Sequence, residues 1–216
     1  EGKYYTLTPD ELPPVLGQHD AERFCQWYGV TLAGNFEGKS IPNLLAQEHF
    51  DREPEGLSAL REQVYHYRLH RTALHRDDKV LTAWNALALA ALARAGLVLD
   101  EPRYLAAAEK IVSFLSVHLV CPDGRLLARW REGEAAHPGK LDDYAFYSWG
   151  LLELYGATFA PAYLAQAVKL AGIMLDFFFD RERGGFYPYA SDGEQLLTRT
   201  KEVYDGAMPS GNSVAA

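Results

Sequence analysis

Val80-Leu81-Thr82-Ala83-Trp84-Asn85-Ala86-Leu87-Ala88-Leu89-Ala90-Ala91-Leu92-Ala93-Arg94-Ala95 is a run in which only Thr82, Asn85 and Arg94 are polar. Its length suits a helix, and a helix apolar on every side is expected to be buried on every side. The stretch from Tyr144 to Phe159 has the same character. Each run is followed by a helix of a different kind. Leu105, Ala108, Ile111, Val112, Leu115 and Leu119 form one stripe, with Glu109, Lys110, Ser113 and Ser116 outside it. Leu164, Ala167, Val168, Ala171, Met174, Leu175 and Phe178 form the other. Both one-faced helices begin alike, at Pro102-Arg103-Tyr104-Leu105 and Pro161-Ala162-Tyr163-Leu164. An inner buried ring and an outer amphipathic ring predict a mainly α fold, an incomplete (α/α) barrel. A flat helical solenoid is the alternative.

Short turns, Gly96 to Arg103 and Ala160 to Ala162, join inner to outer helices. The return connections carry glycine turns and strand-like residues, which predict short β-hairpins. The first is Pro122-Asp123-Gly124, then Leu126 to Trp130. The second is Arg183-Gly184-Gly185, then Phe186 to Tyr189, and Leu196 to Thr200 beyond Asp192-Gly193. The expected organisation is one barrel domain over 1–216, divided into a leading segment 1–76, hairpin units 77–140 and 141–203, and the start of a third unit at 204–216. In the leading segment Gly2 to Thr6 suits a short strand, and Thr8-Pro9-Asp10-Glu11 opens a helix with a capping box. Asp20 to Tyr28 suits a second helix and Gly29 to Phe50 is irregular. Leu57, Leu60, Val64, Tyr67 and Arg71 mark a third helix whose stripe ends on a charge. Glu1 is not a natural start residue and Pro209 to Ala216 reads as the opening of a helix, so a longer parent protein is expected.

Each inner helix is preceded by acids: Asp77-Asp78, Asp142-Asp143 and Asp205. Asp78 and Asp143 lie 65 residues apart, and Asp143 and Asp205 lie 62 apart. That period exceeds the roughly 34 to 47 residues of common helical-pair repeats. In a barrel, all three motifs gather at one mouth. Asp is a preferred N-cap, and its charge suits the helix dipole. Capping accounts for one acid per motif and leaves the second of a pair unexplained. Glycoside hydrolysis needs one carboxyl as acid and another as base or nucleophile. The candidate catalytic residues are therefore Asp78, Asp143, Asp205 and Glu202. Trp84 and Tyr144 are candidate stacking surfaces, with core packing as the plain alternative. Asn85, Asp142, Ser210 and Asn212 complete the candidate substrate-binding set, with capping as the alternative for the helix-start residues. The basic residues ahead of the acids, His137, Lys140 and Lys201 among them, suggest ion pairing at the mouth.

Composition excludes some classes. A net charge of −8 argues against broad nucleic-acid or anionic-membrane binding. No apolar run is long and charge-free enough to span a bilayer, and no signal peptide opens the chain. Cys25 and Cys121 form no Cys-x-x-Cys, and a cytoplasmic setting is the default expectation. His66 and His70 share a helix face, but His-Glu-x-x-His is absent, so neither a metal nor any other cofactor is expected. Gly-x-Ser-x-Gly is absent as well.

The blocks Glu1-Gly2-Lys3-Tyr4-Tyr5-Thr6-Leu7-Thr8-Pro9-Asp10-Glu11-Leu12, Tyr28-Gly29-Val30-Thr31, Gly34-Asn35-Phe36-Glu37-Gly38-Lys39, Asp77-Asp78-Lys79-Val80-Leu81-Thr82-Ala83-Trp84-Asn85, Leu141-Asp142-Asp143-Tyr144-Ala145-Phe146 and Tyr204 to Ala216 carry a resemblance. The chain resembles the spermatogenesis-associated protein 20 family, together with its bacterial thioredoxin-domain-containing members. The resemblance runs from end to end. It implies an N-terminal thioredoxin-like domain followed by an (α/α)6 barrel similar to six-hairpin glycosidases and N-acylglucosamine 2-epimerase, of which this chain is an interior slice. The thioredoxin-like domain would then be a partner, and a small-molecule or oligosaccharide ligand the target. Two departures stand out. Ala86 follows Trp84-Asn85 where the family usually has glycine, and Leu74-His75-Arg76 replaces a stretch that tends to contain proline. The expectation is a carbohydrate-active barrel, hydrolase or epimerase. A barrel that binds a sugar, a peptide or its thioredoxin-like neighbour without catalysis is the alternative.

Overall fold

A computed structural model describes residues 2–193 and 197–216. The chain forms two compact units, 1–77 and 78–216.

The first unit holds α1 (Gly2–Tyr5), a 3-10 turn (Pro9–Glu11), α2 (Pro13–Leu16), α3 (Gln18–Tyr28) and α4 (Leu57–Arg71). Its core is built from Leu7, Leu12, Phe24, Val30, Leu57, Leu60 and Val64. The capping interaction forms as read: Glu11 Oε2 accepts the Thr8 N–H at 3.1 Å. Gly2 to Thr6 is a helical turn, not a strand. The reason lies in α4. Arg68 Nε donates to the Tyr4 carbonyl at 2.9 Å, and the Arg71 guanidinium donates to the carbonyls of Lys3 and Thr6. Arg71 also pairs with Glu11 at 2.8 Å. Two cations thus take the carbonyls around the C-terminal end of α1, where a helix leaves acceptors open. This explains why the stripe on α4 ends on a charge. His70 Nδ1 lies 2.7 Å from the His66 carbonyl of its own helix. Among the described residues no cluster of three His, Cys, Asp or Glu side chains is placed to hold a metal ion.

The second unit begins with β1 (Val80–Leu81), then α5 (Thr82–Val98), α6 (Pro102–His118), β2 (Leu127–Arg131), β3 (Glu134–Pro138), α7 (Leu141–Thr158), α8 (Pro161–Phe177) and α9 (Gly211–Ala215). α5 and α7 lie side by side, α6 packs on α5, α8 packs on α7, and α9 starts beside α7. This is the inner–outer arrangement of an (α/α) barrel. Leu89, Leu115, Tyr144, Phe146, Tyr147, Leu151 and Phe178 form the centre of its core. The stripe on α6 is buried through Ala108, Val112 and Leu115, and continues to Leu119. On α8 the buried positions are Ala167, Leu170 and Met174, followed by Phe178, a spacing that follows the helical period. Val168 and Leu175, one position round the helix, are exposed.

Burial on every side holds for most of α7 and not for α5. Thr82, Ala86, Leu89, Ala90 and Ala93 are buried, whereas Trp84, Ala88, Ala91 and Val98 form an exposed face. Within the second unit α5 packs against α6 and α7. Val80 and Leu81 leave the expected helix to pair with Trp130 and Arg129 of β2. On the first return connection β2 and β3 form the hairpin, closed by Glu132 and Gly133, both at positive φ. That backbone matches the twist of the strands. On the second connection the described residues form one bridge, Phe179 to Phe186, around the left-handed Gly184-Gly185. Residues 197–200 form no strand, and Leu196 lies outside the described residues.

Candidate functional site

The N-caps of the three inner helices are Leu81, Lys140 and Ser210. None of the candidate aspartates occupies its own helix's N-cap, and each binds backbone or a cation another way. Asp143 is the third residue of α7 and is 5% exposed. Its Oδ2 accepts the Lys140 N–H at 2.8 Å, and its Oδ1 accepts the Ala83 N–H, in the first turn of α5, at 2.9 Å. One carboxyl therefore satisfies open donors at the starts of two neighbouring inner helices. Burial pushes this carboxyl up to about 6, against the pull of the Lys140 and Ala83 N–H groups.

Asp142 instead meets α9: its carboxyl lies against the backbone of Gly211, the first residue of that helix. A Cβ on Gly211 would stand 2.4 Å from Asp142 Oδ1, so the approach requires glycine. Burial again raises the carboxyl, and the nearby Glu202 adds to the rise. The paired acids thus have a structural explanation that capping of a single helix does not supply: Asp143 reaches α5, and Asp142 reaches α9.

Asp205 is exposed, and its Oδ1 accepts the Ser210 N–H at 2.8 Å. This bond and Ser213 hold it below the usual carboxylate range. Ser210 Oγ in turn accepts the Ser213 N–H at 3.1 Å. Asp78 precedes β1, not α5, and pairs with Arg131 Nε of β2 at 2.7 Å. Glu202 is exposed, and its Oε1 accepts the Tyr204 N–H at 3.1 Å. Lys201 pairs with Asp180 at 2.7 Å, not with Asp205. Asp180 also accepts the Tyr187 hydroxyl and the N–H groups of Glu182 and Arg183. Lys201, Tyr187 and these N–H groups hold its carboxyl far below the usual range.

The expected binding residues divide. Tyr144 is 1% exposed, and its hydroxyl accepts the Leu126 N–H at 2.9 Å, so it offers no face for stacking. Asn212 accepts the Phe186 N–H at 2.7 Å and returns a bond to the Phe186 carbonyl at 2.9 Å. It therefore acts as a short strand partner for the second connection. Asn85 donates to the Leu81 carbonyl one turn back, at 2.9 Å, and lines a shallow hollow with Ile111 and Phe114. Trp84 is 60% exposed on the open face of α5. The sequence reading missed its counterpart, Trp149, which is 39% exposed on α7 with its indole N–H on Glu153 at 3.2 Å. Inside a uniformly apolar run, nothing in the sequence separates Trp149 from a core aromatic.

Two layers of helices, with carboxyls tying the inner N-termini together at one end, form part of an (α/α) barrel of the six-hairpin glycosidase-like fold. Solved structures with this fold include cellobiose 2-epimerase from Bacillus thermoamylovorans B4167, with TM-score 0.52 and 18% identity over 65% of this chain and 37% of that one. Cellobiose 2-epimerase from Spirochaeta thermophila DSM 6192 gives 0.50 and 22% over 61% and 33%. At these identities the likeness is one of fold. In sequence, the chain matches human spermatogenesis-associated protein 20 at 33% identity and the rat protein at 36%, each over 100% of the chain and 32% of the relative. The resemblance read from the motifs therefore extends over the whole chain, and it is to spermatogenesis-associated protein 20. The chain spans about a third of the length of these curated relatives. No family model matches it.

Proposed function

We propose that the chain is a wall segment of a saccharide-binding barrel that isomerises a reducing sugar and does not hydrolyse glycosides. The observation that carries this reading is the indole of Trp84, 60% exposed on an inner helix of a fold shared with sugar epimerases. A large aromatic left open on an otherwise apolar helix is suited to stack on a sugar ring. Trp149 offers a second such surface on α7. Hydrolysis requires two carboxyls that are available to an acid and a base. Here Asp143 and Asp205 are hydrogen-bonded to backbone, Asp142 lies against Gly211, Asp78 pairs with Arg131 and Glu202 accepts the Tyr204 N–H. Epimerisation beside a carbonyl needs one base to remove a proton from carbon and a donor to return it on the opposite face. It consumes no water and no oxidant. In this reading the segment supplies binding surface, and the proton-moving group belongs to the rest of the barrel.

The test uses the full-length protein with cellobiose, glucose and mannose. Tryptophan fluorescence reports binding, and deuterium uptake at sugar C2 in heavy water reports proton exchange. Trp84→Ala is expected to weaken binding of the preferred sugar about tenfold, the equivalent of one good stacking contact. Trp149→Ala is expected to act in the same direction and less strongly. Unchanged affinity in both variants, or no deuterium uptake with any of the three sugars, would overturn the reading.

A further inference from the structure

A cavity of about 760 Å3 lies between β1, the β2–β3 hairpin and the second return connection. Its volume is that of a small-molecule site. It is separate from the open face of α5 that carries Trp84, and neither tryptophan lines it. Its charge runs against that of the chain. Lys79, Arg125, Arg129 and Lys140 line it, against Asp123 and Asp192. Among the described residues that line it, cations thus outnumber acids four to two in a chain with net charge −8, and Lys79 is itself partnered.

The cations are not equally committed. Arg125 is locked: its guanidinium makes two bonds to Asp192, at 3.2 and 2.5 Å, and lies over the Phe177 ring. That pair also neutralises one of the two acids. Arg129 is different. Its Nε is buried and has no hydrogen-bond partner among the described residues. That nitrogen is enclosed, so a ligand in the cavity would meet the terminal Nη groups, which form no hydrogen bond or ion pair among the described residues. The backbone of Arg129 is fixed by pairing to Leu81 on one side and Ala136 on the other, so the side chain is presented from a rigid strand. Lys140 Nζ lies 5.3 Å from the centre of the Tyr189 ring, which forms part of the same wall. His137 lines the cavity beside them, with its backbone in the left-handed region at φ 65°.

We propose that this cavity binds a small phosphate monoester. Arg129 and Lys140 hold the phosphate, and the apolar wall with Tyr189 receives the rest of the molecule. A guanidinium fork matches the geometry of phosphate oxygens, and an ammonium adds a point charge. The cavity far exceeds the needs of a bare phosphate ion, which favours an ester. The inference does not depend on the stacking role of Trp84.

The test is calorimetric titration of the full-length protein with glucose 6-phosphate, glucose and inorganic phosphate at constant ionic strength. Glucose 6-phosphate is expected to bind at least tenfold more tightly than either of the others. Arg129→Gln is expected to weaken glucose 6-phosphate about tenfold, as loss of a charge-assisted contact should. Lys140→Gln, at an exposed position, is expected to do likewise and serves if the strand variant fails to fold. Arg129→Gln is expected to leave the cellobiose binding reported by tryptophan fluorescence unchanged, which separates the proposal from the saccharide reading. Inorganic phosphate binding as tightly as the ester would overturn the monoester in favour of a free anion. Equal affinity for glucose and its phosphate, no heat from glucose 6-phosphate, or no effect of either variant would overturn the site itself.

Discussion

Replacing Asp143 by alanine is expected to lower stability by about 3 kcal/mol at about pH 4, with the loss shrinking as the pH rises towards about 7. The substitution strips the acceptor from two backbone N–H groups, those of Lys140 and Ala83. Each buried donor left without a partner costs about 1 to 3 kcal/mol. The pH dependence follows from the direction of the carboxyl's shift. Burial raises it in the fold to about 6, from an ordinary value of 3.8. The folded state therefore holds this proton more tightly than the unfolded state. Its stabilising contribution is complete below about pH 4 and is lost as the pH rises through about 6. Full ionisation in the buried site weakens the wild-type fold by about 3 kcal/mol, and alanine has no such term. Urea unfolding of both proteins between about pH 4 and 7.5 measures the difference. A penalty that grows with pH would show that the two N–H bonds outweigh burial at this carboxyl.

Gly150→Val on α7 is expected to cost about 3 kcal/mol, because it overpacks the seam between two inner helices. A Cβ at Gly150 would meet the Leu89 side chain at 2.8 Å and the Ala86 carbonyl oxygen at 2.9 Å. The leucine terminus can turn aside. The carbonyl belongs to the α5 backbone and cannot move without shifting that helix. Gly156, on the same helix, has open space at its Cβ position and provides the control. Gly156→Ala is expected to be neutral or to stabilise by about 0.5 to 1 kcal/mol through helix propensity. Thermal unfolding of the two variants, compared at one pH, separates them. Similar midpoints would mean that the two inner helices do not approach as closely as this.

The comparison between sequence and structure is clearest at individual residues. Pro102 and Pro161 each open an outer helix, as their repeated context indicates. The stripe on α6 is buried as its spacing indicates. These signals are local: a proline starts a helix and a period of 3.6 selects a face. Gly2 to Thr6 misled because the carbonyls of that segment are taken by Arg68 and Arg71, more than sixty residues away. Val80 and Leu81 misled because their partners are in β2. At the candidate site, the aspartate pair was visible as a motif, but its purpose was not. Asp143 finds its second partner sixty positions back, at Ala83, and Asp142 finds its own far forward, at Gly211.

The sequence by itself determined the layers: two apolar inner helices, two one-faced outer helices, a hairpin on the first return connection, and acids repeated at each inner start. Those features follow from composition and period, which a chain carries without knowing its neighbours. Only the tertiary structure decided that Trp84 stands open while Tyr144 is enclosed, that the paired aspartates join adjacent helices, and that Arg129 lines a cavity with no acceptor for its guanidinium among the described residues. Each of those outcomes depends on which element lies alongside. A side chain's exposure, its hydrogen-bond partners and the charge around it are properties of the packed neighbourhood.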